Sequence, residues 1–202
     1  MIYCGVPRHL YQKGLVESIH GNFWVYSVSA TRDPILLWSH YSDGHKGLAL
    51  HFDARVVPFD RPIRVHYSNV YPYYRFPAAQ DPAASKSAKA MLYTKSRGWL
   101  YEKEYRVIRV LAPGTDEQLA WRGMGAQWDG QFATLAEDAL SCVTLGAAVS
   151  DELADELIAE IAVRRPKLAV WRAGANERSY ALNFQKVRSK GPRARPRARR
   201  CW

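Results

Sequence analysis

The stretch CVTLGAAVSDELADELIAEIAVRRPKLAVW, Cys142 to Trp171, decides the fold class. Cys142 to Leu145 is a short apolar run rich in β-formers, and Lys167 to Trp171 is a second one, so both read as strands. Between them Ser150 offers a capping hydroxyl, early acids follow it, and Arg164, Arg165 and Pro166 close the other end, which predicts a helix over Ser150 to Val163. Leu153, Leu157 and Ile161 form its apolar stripe. Strand, helix and strand in that order predict a β-α-β unit with a local parallel pair.

Working outward, Tyr101 to Leu111 is the clearest strand, a polar end grading into an apolar one. Glu102, Glu104, Arg106, Ile108 and Val110 share one face of the expected strand, and Tyr101, Tyr105, Val107 and Leu111 share the other. Phe23 to Ser29 is aromatic and β-branched and puts Ser27 and Ser29 on one face. Ile35 to Tyr41, after the turn residues Asp33-Pro34, reads as a short helix or turn, and Leu48 to Phe52 and Ile63 to Tyr67 read as strands. Asp81-Pro82 starts a helix that Gly98 would stop, and Val6 to His20 is weakly helical. The expected architecture is a single α/β domain over residues 1–185: a mixed, mostly antiparallel sheet with a C-terminal β-α-β unit.

Composition narrows the function classes. At 202 residues and 48% hydrophobic content the chain suffices for one core. No apolar run approaches the roughly 20 residues of a membrane-crossing helix, and the first residues, MIYCGVPRHLYQKG, lack a basic start followed by an apolar stretch. No membrane association is expected. Cys4, Cys142 and Cys201 are scattered, without a CxxC pair, so a reducing cytoplasm is the expected compartment. Lys186, Arg188, Lys190, Arg193, Arg195, Arg197, Arg199 and Arg200 carry eight of the ten net positive charges. The body is therefore nearly neutral. Residues 186–202 are expected to be a disordered basic Arg/Pro tail, because they hold too few aliphatic side chains to offset the entropy of ordering. Such a tail offers at most weak, salt-sensitive nucleic-acid contact.

Two motif groups stand out. Trp38-Ser39-His40-Tyr41, His45-Lys46-Gly47 and Phe52-Asp53 form the first. Lys95, Trp99 and the Y-E-x-E-x-R series Tyr101, Glu102, Glu104 and Arg106 form the second, followed by Leu145-Gly146. Together they resemble the bacterial family called domain of unknown function 2971, over about Phe23 to Val170. Members of that family carry a longer aromatic-rich N-terminal region, so the resemblance implies an N-terminally short member. From the kind of family alone it implies a role in bacterial conflict or phage defence.

Three functional readings follow. In the first, Tyr26-Ser27-Val28-Ser29 and Glu102-Lys103-Glu104 resemble the serine-bearing strand and E-x-E element of ADP-ribosyltransferases, which implies NAD as cofactor. Breaking the nicotinamide–ribose bond builds positive charge at the anomeric carbon, which a fixed carboxylate, Glu104, would stabilise. Glu102 would orient or deprotonate an acceptor, Ser27 or Ser29 would brace Glu104 or hold the nicotinamide side, and Trp38 or Tyr41 would stack on a ring. The first-strand Arg or His that grips the cofactor in such enzymes has no clear counterpart, since Arg8 and His9 fall in the weakly helical opening. The plainer reading of the glutamates is a solvated strand face paired with Arg106 or lysines.

The second reading is a metal-dependent hydrolase using His40, Asp43 and His45, against which stands a packed His40 and a simple Asp43-Gly44 turn. The third is a non-catalytic nucleotide- or nucleic-acid-binding module that uses the aromatic run Tyr67, Tyr71, Tyr73, Tyr74 and Phe76. Lys46 and Lys95 are candidate anion-binding residues, so a nucleotide or other phosphorylated small molecule is the expected ligand. The expected polar site is Ser27, Ser29, His40, His45, Lys95, Glu102, Glu104 and Arg106.

Overall fold

The computed structural model describes residues 23–72, 90–110, 127–129 and 132–187. In chain order its elements are β1 (Phe23–Ser29), α1 (Ile35–Tyr41), β2 (Leu48–Phe52), β3 (Ile63–Arg64), β4 (His66–Ser68), β5 (Thr94–Ser96), the 3-10 helix η1 (Arg97–Glu102), β6 (Glu104–Val110), β7 (Gln127–Asp129), β8 (Phe132–Thr134), β9 (Leu140–Leu145), α2 (Asp151–Arg164), β10 (Ala169–Ala175) and β11 (Leu182–Val187). The fold is mixed α/β, and its strands divide among several mostly antiparallel sheets rather than the expected one.

The β-α-β unit is present. β9 and β10 pair in parallel, with Val143 opposite Val170, and α2 connects them. Ser150 caps α2 by accepting a hydrogen bond from the Leu153 N–H, a contact that contributes about 1 kcal/mol. The buried stripe differs from the expected one by a residue. Leu153 is 44% exposed, whereas Ala154 is buried, with Leu157, Ile158 and Ile161 packed against Val143, Leu145 and Val170. β2 and β11 flank this pair antiparallel, which makes the order β11-β10-β9-β2. The second sheet has the order β1-β6-β3. Its apolar face sets Val28 and Val107 against Phe52, Phe59 and Ala139.

Several expectations are corrected. The strand expected over Ile63 to Tyr67 breaks at Val65, whose side chain is buried and whose N–H donates to the Glu104 carbonyl at 3.0 Å, so β3 joins β6 while β4 pairs in parallel with β5. Gly98 does not stop a helix: residues 90–93 are helical, then β5 and η1 follow. β6 starts at Glu104, because Tyr101 and Glu102 belong to η1. β11 includes Lys186 and Val187, beyond the expected domain end at residue 185. The expected helix at Val6 to His20, the part of the expected Asp81-to-Gly98 helix up to Lys89, and residues 188–202 of the tail lie outside the described residues. Among the described residues no helix is long and apolar enough to cross a membrane.

The two motif pieces His45-Lys46-Gly47 and Leu145-Gly146 form one backbone junction. Gly146 N–H donates to the Gly47 carbonyl at 2.9 Å, and Ala148 N–H donates to the His45 carbonyl at 3.0 Å. A Cβ on Gly146 would lie 2.0 Å from that His45 carbonyl oxygen, so only glycine allows the approach. Both motif pieces are thus accounted for by packing. Gly146→Ala is expected to destabilise the protein by about 3 kcal/mol, the upper end for overpacking, as a lowered denaturation midpoint in urea.

Candidate active site

The Glu102 and Glu104 side chains converge although they do not share a strand. Lys103 ends η1 in the left-handed region at φ 46°, and this turn carries the chain from the 3-10 helix into β6 with both carboxylates on Lys95. Lys95 Nζ donates to Glu102 Oε2 and, at 2.9 Å, to Glu104 Oε2. Arg106 Nε donates to Glu104 Oε1 at 2.7 Å, and the Ser27 hydroxyl reaches the same oxygen at 2.6 Å. The Tyr41 hydroxyl, from the last turn of α1, donates to Glu102 Oε1 at 2.7 Å. Both glutamates are only 4% exposed. This is a buried, charge-compensated cluster, not the solvated strand face that alternation alone suggests.

The electrostatics follow from that burial. Desolvation pushes the Glu104 carboxyl up, but hydrogen bonds from Arg106, Ser27 and Lys95 outweigh it and hold the group at about 2. Burial likewise lowers Lys95, and its hydrogen bonds to both glutamates reverse this, so its pKa is raised. Tyr41 is raised chiefly by its bond to Glu102.

Beside this cluster lies a cleft of about 800 Å³, large enough for a nucleotide. Lys95, Glu102, Glu104, Ser27 and Tyr41 line it, with Arg32 and the β2 residues Leu48 to Phe52. Tyr26 supplies an aromatic surface, edge-on to Phe52 and Phe59 at ring separations of 6.1 and 6.0 Å.

The other expected site residues have different placements. Ser29 Oγ lies 2.6 Å from the Glu102 carbonyl and 2.7 Å from the Thr31 carbonyl, so it latches the end of β1 to η1 instead of bracing Glu104. Trp38 is 3% exposed, with its Nε1–H on the Arg32 carbonyl, so its ring is not free to stack on a ligand. Tyr41, 64% exposed, keeps that capacity. His40 packs its ring against Trp99 at 5.7 Å. His45 Nε2 lies 3.1 Å from Ser39 Oγ, and Lys46 is exposed in the turn. Arg106 is engaged by Glu104 and the Leu92 carbonyl, and Lys95 by both glutamates, so neither is a spare anion-binding cation.

Among the described residues no group of three or more His, Cys, Asp or Glu could hold a metal ion. Of the aromatic run, the Tyr67 hydroxyl accepts from the Glu104 N–H at 2.8 Å, Tyr71 is exposed, and Tyr73, Tyr74 and Phe76 lie outside the described residues.

Sequence reading missed Arg32. It follows β1, reaches Thr144 on β9, and lines the cleft. Its only sequence signal is a lone arginine in a Thr-Arg-Asp-Pro turn, and its partners lie more than a hundred residues away.

Comparison with family models, curated proteins and solved structures finds no match to this chain. The family resemblance therefore stands on its motifs alone.

Two outcomes test this geometry. Because the folded Glu104 pKa lies below its ordinary 4.5, the unfolded chain binds the extra proton, and the stabilisation is complete above that range and lost as pH falls from 4.5 towards 2. Glu104→Gln is expected to cost about 3 kcal/mol near neutral pH, with the gap to wild type closing at acid pH, as read by urea denaturation across pH. Lys103→Gly is expected to be neutral or stabilising and Lys103→Val destabilising by about 1–2 kcal/mol, since only the latter adds strain to the left-handed residue.

Proposed function

We propose that the protein is an ADP-ribosyltransferase-like enzyme acting on the N-glycosidic bond of a nucleotide bound in this cleft, with NAD as the candidate substrate. The observation that carries this reading is the pair of nearly buried carboxylates, bridged by Lys95 and opening onto a nucleotide-sized space. Glu104, bonded at both oxygens, is a fixed anion suited to stabilising positive charge at an anomeric carbon without reorganising. Glu102, held by the accessible Tyr41, is suited to take the proton of an incoming hydroxyl. Two carboxylates with these separate duties are the common solution to glycosyl chemistry. As the C1′–N bond breaks, its electron pair leaves with nicotinamide. The acceptor oxygen then bonds to C1′ and its proton passes through Glu102 to solvent.

A specific observation supports a second reading, a non-catalytic nucleotide-binding module. All four carboxylate oxygens already have partners inside the protein, which a purely structural ion-pair cluster would also show. Incubation with NAD, with nicotinamide read by chromatography, separates the two. Release by the wild type, reduced about 100-fold or more in Glu102→Gln at matched folded fraction, supports the enzyme. NAD binding without release at any acceptor concentration supports the module.

A further inference from the structure

Arg32 is set apart from the other cations of the cleft. Lys95 and Arg106 together balance Glu102 and Glu104, whereas among the described residues no carboxylate lies within ion-pair distance of the Arg32 guanidinium. It contributes the uncompensated charge of the cleft wall. The group is fixed without a counter-ion: its carbon lies 4.2 Å from the Phe184 ring centre and 4.9 Å from that of Trp171, on β11 and β10. One donor, Nη1, reaches Thr144 Oγ1 at 3.3 Å, and Thr144 is fully buried with His51 Nε2 2.8 Å from the same hydroxyl. The backbone of Arg32 is fixed too, since its carbonyl accepts from Trp38 Nε1 at 2.7 Å. A guanidinium has five N–H donors, and among the described residues only one of them is taken.

A half-buried guanidinium held over two aromatic rings, with spare donors and no carboxylate, is organised for a planar or tetrahedral oxyanion. We propose that Arg32 is the phosphate seat of the cleft, so that the ligand is a nucleotide and not a nucleoside or free base. The proposal rests on the nucleotide reading of the same cleft and adds the group that selects the substrate class. The ring contacts also explain why a cation can be held there without a carboxylate, since aromatic faces attract it without consuming its N–H donors.

The test is calorimetric titration of the full-length protein with ADP, inorganic pyrophosphate and adenosine. ADP is expected to bind at least tenfold more tightly than adenosine, with the advantage shrinking as salt rises, and pyrophosphate to compete with ADP. Arg32→Met, which keeps an unbranched chain over Trp171 and Phe184, is expected to lower ADP affinity at least tenfold and leave adenosine affinity unchanged. Equal affinity of the wild type for ADP and adenosine, or undetectable binding of ADP and pyrophosphate at millimolar concentration, overturns the proposal whether or not the variant folds. Equal loss of both ligands in a folded Arg32→Met also overturns it, because that is the signature of a merely structural arginine. The two readings fail separately: selective ADP binding without nicotinamide release removes the glycosyl chemistry and leaves the seat, while nicotinamide release without phosphate selectivity does the reverse.

Discussion

A single ammonium group, Lys95 Nζ, lies between two nearly buried carboxylates, and the arrangement of the cleft depends on it. Two like charges cannot stay ionised side by side in a protein interior unless cations and hydrogen bonds compensate them. The compensation here draws on Lys95 of β5, Arg106 of β6, Ser27 of β1 and Tyr41 of α1, so one electrostatic requirement ties four elements to the same point. The positions of β1 and α1 relative to β6 follow in part from where those two glutamates must be satisfied.

The same arrangement separates the motif residues by duty. Glu102, Glu104, Lys95, Ser27 and Tyr41 belong to the cleft, while Gly47, Gly146 and the His45 carbonyl belong to a backbone junction that holds the β2 and β9 ends together. Ser29 and Trp38 form hinges of hydrogen bonding between β1, η1 and the Arg32 turn. Charge is divided likewise: the glutamate cluster is neutral as a unit, and Arg32, on the side of the β9, β10 and β11 residues, supplies the positive character.

Much of the framework was legible in the sequence, because β1, α1, β2 and the β9–α2–β10 unit announce themselves by local periodicity and caps. What was not legible had non-local or unusual causes. Lys103 takes a left-handed conformation that lysine rarely signals, so Glu102 looked like a strand residue while sitting in η1. Burial was misassigned on α2 because Leu153 is larger and more apolar than Ala154, yet Ala154 is the residue that packs where the helix meets the sheet. β11 was hidden by its nearness to the basic tail. In the candidate site, Glu102, Glu104, Ser27, Lys95 and Tyr41 were found from their motifs, but their mutual saturation was not, and Arg32 was invisible because Thr144, Trp171 and Phe184 define its role only in three dimensions.

The most direct measurement of the central claim is a structure of the protein with ADP-ribose bound. The account predicts the terminal ribose within hydrogen-bond reach of Glu102 or Glu104, with a phosphate against the Arg32 guanidinium. ADP-ribose placed outside the cleft, or lying in it with the ribose remote from both carboxylates, would contradict it.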